Sequence, residues 1–322
     1  MIASKIAGML KEKDNIAIVS HVMADGDSIG SMLALYNALK KMNKNVSALT
    51  GDKLPKVYSF LPGFQDIRNC DSLRDKNYDL LIVLDCGSLD RIGLCSSIKA
   101  GMIINIDHHI TNSNFGDLNL VDAKASSTGE IVYQIIKLMG VDISKDEAVC
   151  LYTAILTDTG CFKYSNTTLA THQIAGDLIT YGFDFGKIHD MVYSNYEYDC
   201  LKLLGKALSS LQLYEGGRIA LMELLYDDFK GINLEDISTS EFIDYARDIG
   251  TVEEAAFIKE TSLGEFKVSF RSKRIVDVRA ICEKYGGGGH IRAAGCTITG
   301  DLKYVRDTVI NEMKKALKDE MV

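Results

Sequence analysis

Three strand-length apolar runs in the first third of the chain each end in an acid or a histidine. "NIAIVS" (15–20) leads into "HVMADGDSIGS", "YDLLIVLD" (78–85) ends on Asp85, and "GMIINID" (101–107) runs into His108 and His109. Continuous apolar strands need cover on both faces, which predicts a parallel sheet inside an α/β fold. Between them "SIGSMLALYNALKKM" (28–42) has helical spacing and "KNVSALT" (44–50) reads as another strand. Open sheets of this kind bind ligands beyond the carboxyl ends of their strands. The polar residues fall at those ends, so separate segments deliver acids and imidazoles to one rim.

Helices are predicted over 127–160, where Ser126, Ser127 or Thr128 supplies an N-cap, Gly140 a C-cap, and "TDTG" brings Asp158 to a helix end. Further helices fit 168–182, 184–195 and 197–210. Beyond residue 210 the pattern changes to short alternating strands, the glycine run 286–289 and a last helix. With 322 residues, two domains are expected. They are an N-terminal α/β domain over 1–195 and a smaller α/β domain over 211–322, joined by a connecting helix at 196–210.

A hydrophobic content of 47% is that of an ordinary globular chain, and no apolar run approaches the roughly 18–20 residues that span a bilayer. The first residues lack the pattern of a signal peptide, so a cytoplasmic protein with no membrane partner is expected. The eight cysteines contain no CxxC pair, and reduced, mostly buried thiols are expected rather than disulfides or zinc ribbons. The net charge of −8 argues against a protein that grips long duplex nucleic acid. It leaves room for a small phosphorylated substrate, because residues 265–292 hold seven Lys/Arg and three acids.

His21, Asp25, Asp27, Asp85, His108 and Asp158 converge if the rim reading holds. Such like charge is unfavourable alone and favourable around divalent cations. Mixed carboxylate and imidazole donors without thiolates suit Mn²⁺, Mg²⁺, Fe²⁺ or Co²⁺ rather than structural zinc. Two Asp one residue apart suggest two ions, the usual apparatus for attack of water on phosphorus. Each piece has a plainer reading: Asp25 and Asp27 can cap the following helix, and Asp85 or Asp158 can be solvated loop residues.

In this order, "HVMADGDSIGS", "LDCG", "DHH" and "TDTG" resemble the successive motifs of the DHH phosphoesterase superfamily, and "FRS" with "GGGGHIRAAG" resembles its associated C-terminal domain. The resemblance spans almost the whole chain and points to the bacterial nanoRNase branch. It implies hydrolysis of very short RNA to mononucleotides, and of 3′-phosphoadenosine 5′-phosphate to AMP, with two divalent ions, Mn²⁺ foremost and Mg²⁺ or Co²⁺ as substitutes. His21 and Asp25 would hold one ion and Asp27, His108 and Asp158 the other, with Asp85 bridging. Asp107 would orient a histidine, and His109 would lie near the scissile phosphate. Arg271, Gly287, Gly288, Gly289 and His290 would contact substrate. A homodimer accords with the family, though no sequence feature marks it. The family's usual Pro before the first Asp is Ala24 here, which bears on the stiffness of that loop. Rival readings are a phosphodiesterase for linear or cyclic dinucleotides, an inorganic pyrophosphatase, and a nucleotide-binding protein with an idle site.

Overall fold

The strands of the first third bury both faces, and that fixes the architecture around them. In the computed structural model, residues 2–73, 76–232, 237 and 239–319 are described, so the end of the expected final helix lies outside them. The chain divides into two compact units, Met1–Asn195 and Tyr196–Val322.

The first unit is built on six parallel strands: β1 (Asn15–Val19), β2 (Asn45–Thr50), β3 (Arg68–Asn69), β4 (Leu80–Leu84), β5 (Ile103–Asp107) and β6 (Leu118–Val121). Their spatial order is β3-β2-β1-β4-β5-β6. The order reverses between β1 and β4, which opens a crevice at the carboxyl ends of those two strands. Ile16, Ile18, Leu80 and Ile82 face a core shared with the helices α1 (Ile2–Glu12), α2 (Gly26–Lys41), α3 (Thr128–Met139), α4 (Lys145–Asp158), α5 (Leu169–Ile179) and α6 (Phe185–Tyr193). Ala17, Val19, Leu81 and Val83 face the other side.

That other side differs from the expectation. Its cover comes from turns and short 3-10 segments carrying Cys70, Ile92, Cys95 and Ile98, rather than from α-helices. Cys70 and Cys95 are joined there as a disulfide, with Cα atoms 5.3 Å apart. The expectation of reduced thiols throughout is corrected at this pair; the other six cysteines form no disulfide. Both partners lie fully buried on irregular segments 25 residues apart, where spacing gives no warning of contact.

α2 lies close against α4. A methyl group at Gly30 would meet the Cys150 carbonyl oxygen at 2.5 Å, so only glycine permits this approach. The contact matters because the start of α2 and the end of α4 both reach the rim.

The second unit has a six-stranded mixed sheet of β7 (Gln212–Tyr214), β8 (Ile219–Leu224), β9 (Glu254–Ser262), β10 (Glu265–Ser272), β11 (Gly288–His290) and β12 (Ala293–Thr299). The order is β11-β12-β10-β9-β8-β7, with β8 and β9 parallel and the other pairs antiparallel. Phe266, Val268 and Phe270 pack one face against α9 (Val278–Glu283) and α10 (Leu302–Asp319). Ala255, Phe257 and Met222 pack the other against α7 (Tyr198–Ser209) and α8 (Phe242–Arg247). The stretch expected as a connector is mostly α7, and it buries Cys200, Leu203 and Ala207 in this unit's core.

Candidate metal centre

The turn after β1 shapes the first part of the site. Met23 takes a left-handed backbone conformation (φ 57°), and its N–H donates to Asp52 Oδ2 at 3.2 Å. The Val22 N–H donates to the Arg91 carbonyl at 2.8 Å. These bonds restrain the loop that carries Ala24. Asp25 is the N-cap of α2: its Oδ1 accepts from the Ser28 N–H at 3.0 Å and its own N–H donates to Ser28 Oγ. Capping uses Oδ1 and leaves Oδ2 facing His21 Nε2 at 3.8 Å, where it could hold a metal ion.

Asp27 is almost fully buried. Its oxygens accept from the Thr128 N–H (2.7 Å), the Gly129 N–H (2.9 Å) and Ser31 Oγ (3.0 Å). The start of α3 thus grips this carboxylate with backbone donors and a favourable dipole. Even so, burial and the charges of Asp85, Asp158 and Asp25 push its carboxyl well above the usual range.

Asp85 follows β4 in a left-handed conformation (φ 55°), rare for a residue with a Cβ and a form of strain stored at functional positions. The turn aims its side chain between two clusters. Oδ2 lies 3.4 Å from His21 Nε2, and Oδ1 lies 3.6 Å from both His108 Nε2 and His109 Nδ1. Thr128 Oγ1 donates to the same Oδ1 at 3.1 Å. Burial opposes this charge, but the neighbouring imidazoles prevail and hold its carboxyl below the usual range.

Asp158 closes α4, where a helix end disfavours negative charge. Burial, with Asp85 and Asp25 nearby, pushes its carboxyl up to about 6 against the pull of His108. His108 Nε2 faces Asp158 at 3.5 Å, Asp85 at 3.6 Å and Asp27 at 3.8 Å.

The ring nitrogens test whether cations fit here. His21 Nδ1 lies 2.8 Å from the Val22 carbonyl, and His108 Nδ1 lies 3.3 Å from the Ala125 carbonyl. A carbonyl only accepts, so each Nδ1 carries a proton and each ring turns its Nε2 toward carboxylates. A divalent cation held between an Nε2 and those carboxylates would offset the concentration of negative charge. Three sets have ligand atoms within 4.8 Å of one another: His21 with Asp25 and Asp85, Asp27 with His108 and Asp158, and Asp85 with His108 and His109. The donor set fits divalent ions.

His109 is held differently. Its Nδ1 lies 2.7 Å from Asp107 Oδ1, and this hydrogen bond pushes the imidazole up to about 9 against burial, with nearby carboxylate charges adding to it. Asp107 is fully buried; burial works against its charge, but bonds from His109 and Asn112 outweigh it and keep the carboxyl low. Asn112 Nδ2 donates to Asp107 Oδ2 at 2.5 Å and to Asn105 Oδ1 at 2.8 Å. Sequence reading passed over Asn105, Asn112, Ser31 and the ligand-holding role of Thr128. Only the N-cap pattern around Thr128 offered a local signal.

In the second unit, Arg271 lies on β10 opposite Ala293 of β12, and His290 of β11 pairs with the same Ala293. The register puts Arg271 and His290 on one face, two strands or roughly 10 Å apart. Arg271 Nε lies 3.9 Å from Asp244 Oδ1. The glycine run is more ordered than its composition suggests: Gly288–His290 form the edge strand β11. The Gly287 N–H donates to the Cys282 carbonyl at 3.0 Å, so that amide is engaged rather than free for an anion. A side chain at Gly287 would collide with the Gly295 carbonyl.

The model of the DHH family, N-terminal domain, matches residues 15–155, and that of the DHHA1 domain matches residues 221–321. The chain belongs to the DHH family. The bifunctional oligoribonuclease and PAP phosphatase NrnA of Thermus thermophilus is 32% identical over 97% of this chain and 93% of that protein. The probable bifunctional oligoribonuclease and PAP phosphatase NrnA of Streptococcus mutans is 31% identical, covering 97% and 98%. Among solved structures, an exopolyphosphatase-related protein from Bacteroides fragilis superposes with a TM-score of 0.88 at 29% identity, covering 97% of this chain and 96% of that one.

Proposed function

We propose that this chain is a divalent-metal phosphohydrolase that degrades very short oligoribonucleotides to mononucleotides and converts 3′-phosphoadenosine 5′-phosphate to AMP. The observation that carries the reading is the pair of imidazole Nε2 atoms turned into clustered carboxylates, His21 toward Asp85 and His108 toward Asp85, Asp158 and Asp27. The names of the full-length relatives supply the substrates.

His21, Asp25 and Asp85 form one ligand set, and Asp27, His108 and Asp158 the other, with Asp85 serving both. Ions held there, Mn²⁺ first and Mg²⁺ or Co²⁺ as substitutes, would supply Lewis acidity toward water and the phosphoryl oxygens. The chain's own groups do the rest. Amides at the start of α3 fix Asp27, and Thr128 fixes Asp85, so neither carboxylate must reorient during the reaction. Asp107 anchors one nitrogen of His109, which leaves a charged Nε2–H to meet a phosphoryl oxygen and pass its proton to the leaving oxygen. Arg271, His290 and the Gly288–Gly289 edge recognise the terminal phosphate of a short substrate, Arg through its planar fork.

The test is turnover by metal-stripped protein reloaded with Mn²⁺ in the presence of an RNA dinucleotide, a long RNA, 3′-phosphoadenosine 5′-phosphate, a cyclic dinucleotide and pyrophosphate. Rapid cleavage of the dinucleotide and the bisphosphate, slow cleavage of long RNA, and loss in Asp85→Ala are expected. Turnover of pyrophosphate alone, or of the cyclic dinucleotide alone, would replace this reading.

A further inference from the structure

A second concentration of charge, of opposite sign, lies in the same unit. A cavity of ≈ 210 Å³ beside β2 is lined by Lys40, Arg68 and Lys76, with Asp66 the one acid among its described lining residues. The chain as a whole carries 44 acids against 36 Lys/Arg, so this balance runs against the composition.

The three cations lack carboxylate partners among the described residues. Lys40 Nζ sits 6.0 Å from the centre of the Tyr36 ring. Lys76 Nζ lies 3.5 Å from Ser47 Oγ and 4.9 Å from the Tyr78 ring. Their neighbours are compensated: Lys41 pairs with Glu147 at 2.5 Å, and Lys44 with Asp14 at 3.2 Å. Asp66 accepts a hydrogen bond from the Tyr36 hydroxyl at 3.4 Å. Like charges facing a shared cavity repel, and an anion between them removes the penalty.

The backbone adds to this. β3 pairs with β2 only at Leu49 and Thr50, so among the described residues the outer edge over Asn45–Ala48, which lines the cavity, has no strand partner. The site is separate from the metal centre. Asp27 and Tyr36 lie nine residues apart on α2, and at about 1.5 Å per residue Tyr36 and Lys40 stand roughly 14–20 Å along the helix from Asp27.

We propose that this cavity binds a phosphate dianion, either free inorganic phosphate or the 5′-phosphate of a mononucleotide. Three cations less one carboxylate leave two positive charges, which a dianion balances. The Arg68 fork, two ammonium groups and the Ser47 hydroxyl are the donors that tetrahedral phosphate takes. The volume falls below the roughly 300–1,000 Å³ of pockets that enclose drug-sized ligands, which excludes an oligonucleotide. This site does not depend on the reaction proposed above.

Isothermal titration of the metal-stripped full-length chain with inorganic phosphate, AMP and adenosine tests it. The Arg271→Ala/His109→Ala variant, which lacks the phosphate contacts proposed above, should still bind phosphate, with the affinity of the β2 cavity unchanged. Binding should weaken at least tenfold in Arg68→Gln/Lys76→Gln, and in the same direction in Lys40→Gln, with circular dichroism unchanged. Displacement of phosphate by AMP assigns the site to mononucleotides, and failure of AMP to displace it assigns the site to free phosphate. Wild-type binding in the Arg68→Gln/Lys76→Gln variant, loss of all binding in Arg271→Ala/His109→Ala, no binding by the wild type, or adenosine binding as tightly as AMP would each overturn the proposal.

Discussion

The rim of the first unit and the sheet edge of the second hold their key side chains in opposite ways. Asp27 and Asp85 are 1% and 2% exposed, and donors from a neighbouring helix fix their oxygens. Arg271 is only partly buried, the carboxylate of Asp244 lies 3.9 Å from it, and Gly288, Gly289 and His290 are exposed. Under the proposed function the contrast separates two tasks. Chemistry on phosphorus needs groups that stay put while charge develops, whereas recognition of short ligands of differing sequence tolerates groups that adjust.

That division can be broken most directly at Asp85. Asp85→Asn keeps the shape and removes the charge, and turnover should fall by roughly 10³-fold or more. The same substitution should abolish the rise in Tm that Mn²⁺ gives the stripped wild type, measured by scanning calorimetry. A loss under tenfold would mean that the buried carboxylate is dispensable.

Asn112→Ala should come next. It leaves Asp107 Oδ2 without a partner in a buried position and loosens His109. kcat should drop roughly 10–100-fold, in line with the loss of a group that orients a functional imidazole. KM should stay within about threefold; a pure KM effect in steady-state kinetics would contradict the positioning role.

Arg271→Ala should show the reverse split: KM rises about tenfold, the scale of one lost charge-assisted hydrogen bond, with kcat little changed. Arg271→Lys, which keeps the charge and loses the fork, should fall between. If kcat collapses instead, the second unit shares in the chemistry and the division of labour fails.

The smallest effect on activity is expected at Glu254, which sits under the second sheet with no hydrogen-bond partner for either oxygen among the described residues. Burial, with Glu253 adding and Arg218 opposing, pushes its carboxyl up to about 8. An acid whose folded pKa exceeds its unfolded value destabilises the fold progressively as pH rises from about 4.5 to about 8. Glu254→Gln should therefore match the wild type in urea melts at pH 4.5. It should be more stable by on the order of a few kcal/mol at pH 8.5. Equal stability at both pH values would contradict the shift.

The sequence made the rim readable because each of β1, β4 and β5 is an uninterrupted apolar run with an acid or imidazole at its end. That pattern is local, and burial on both faces leaves it little freedom. The supports of those ligands were not readable. Asn112 lies three residues past His109 in a polar stretch, and Thr128 reaches Asp85 across 43 positions of sequence. Such bonds exist only once tertiary packing has brought the segments together. β6 and α8 are short and carry no clear period, and the glycine run became a strand because its neighbour β12 offers it an edge. The Cys70–Cys95 pair was hidden for the same reason: two irregular segments meet only under the finished sheet.

Asp25 both caps α2 and presents its second oxygen to His21. One carboxylate thus ties the fraying of a helix to the occupancy of the crevice. Amide hydrogen exchange in the first turn of α2, above all at Ser28, should slow when ions are added and quicken when they are chelated. The opening rate of that single turn would then report, from the backbone alone, how full the centre is.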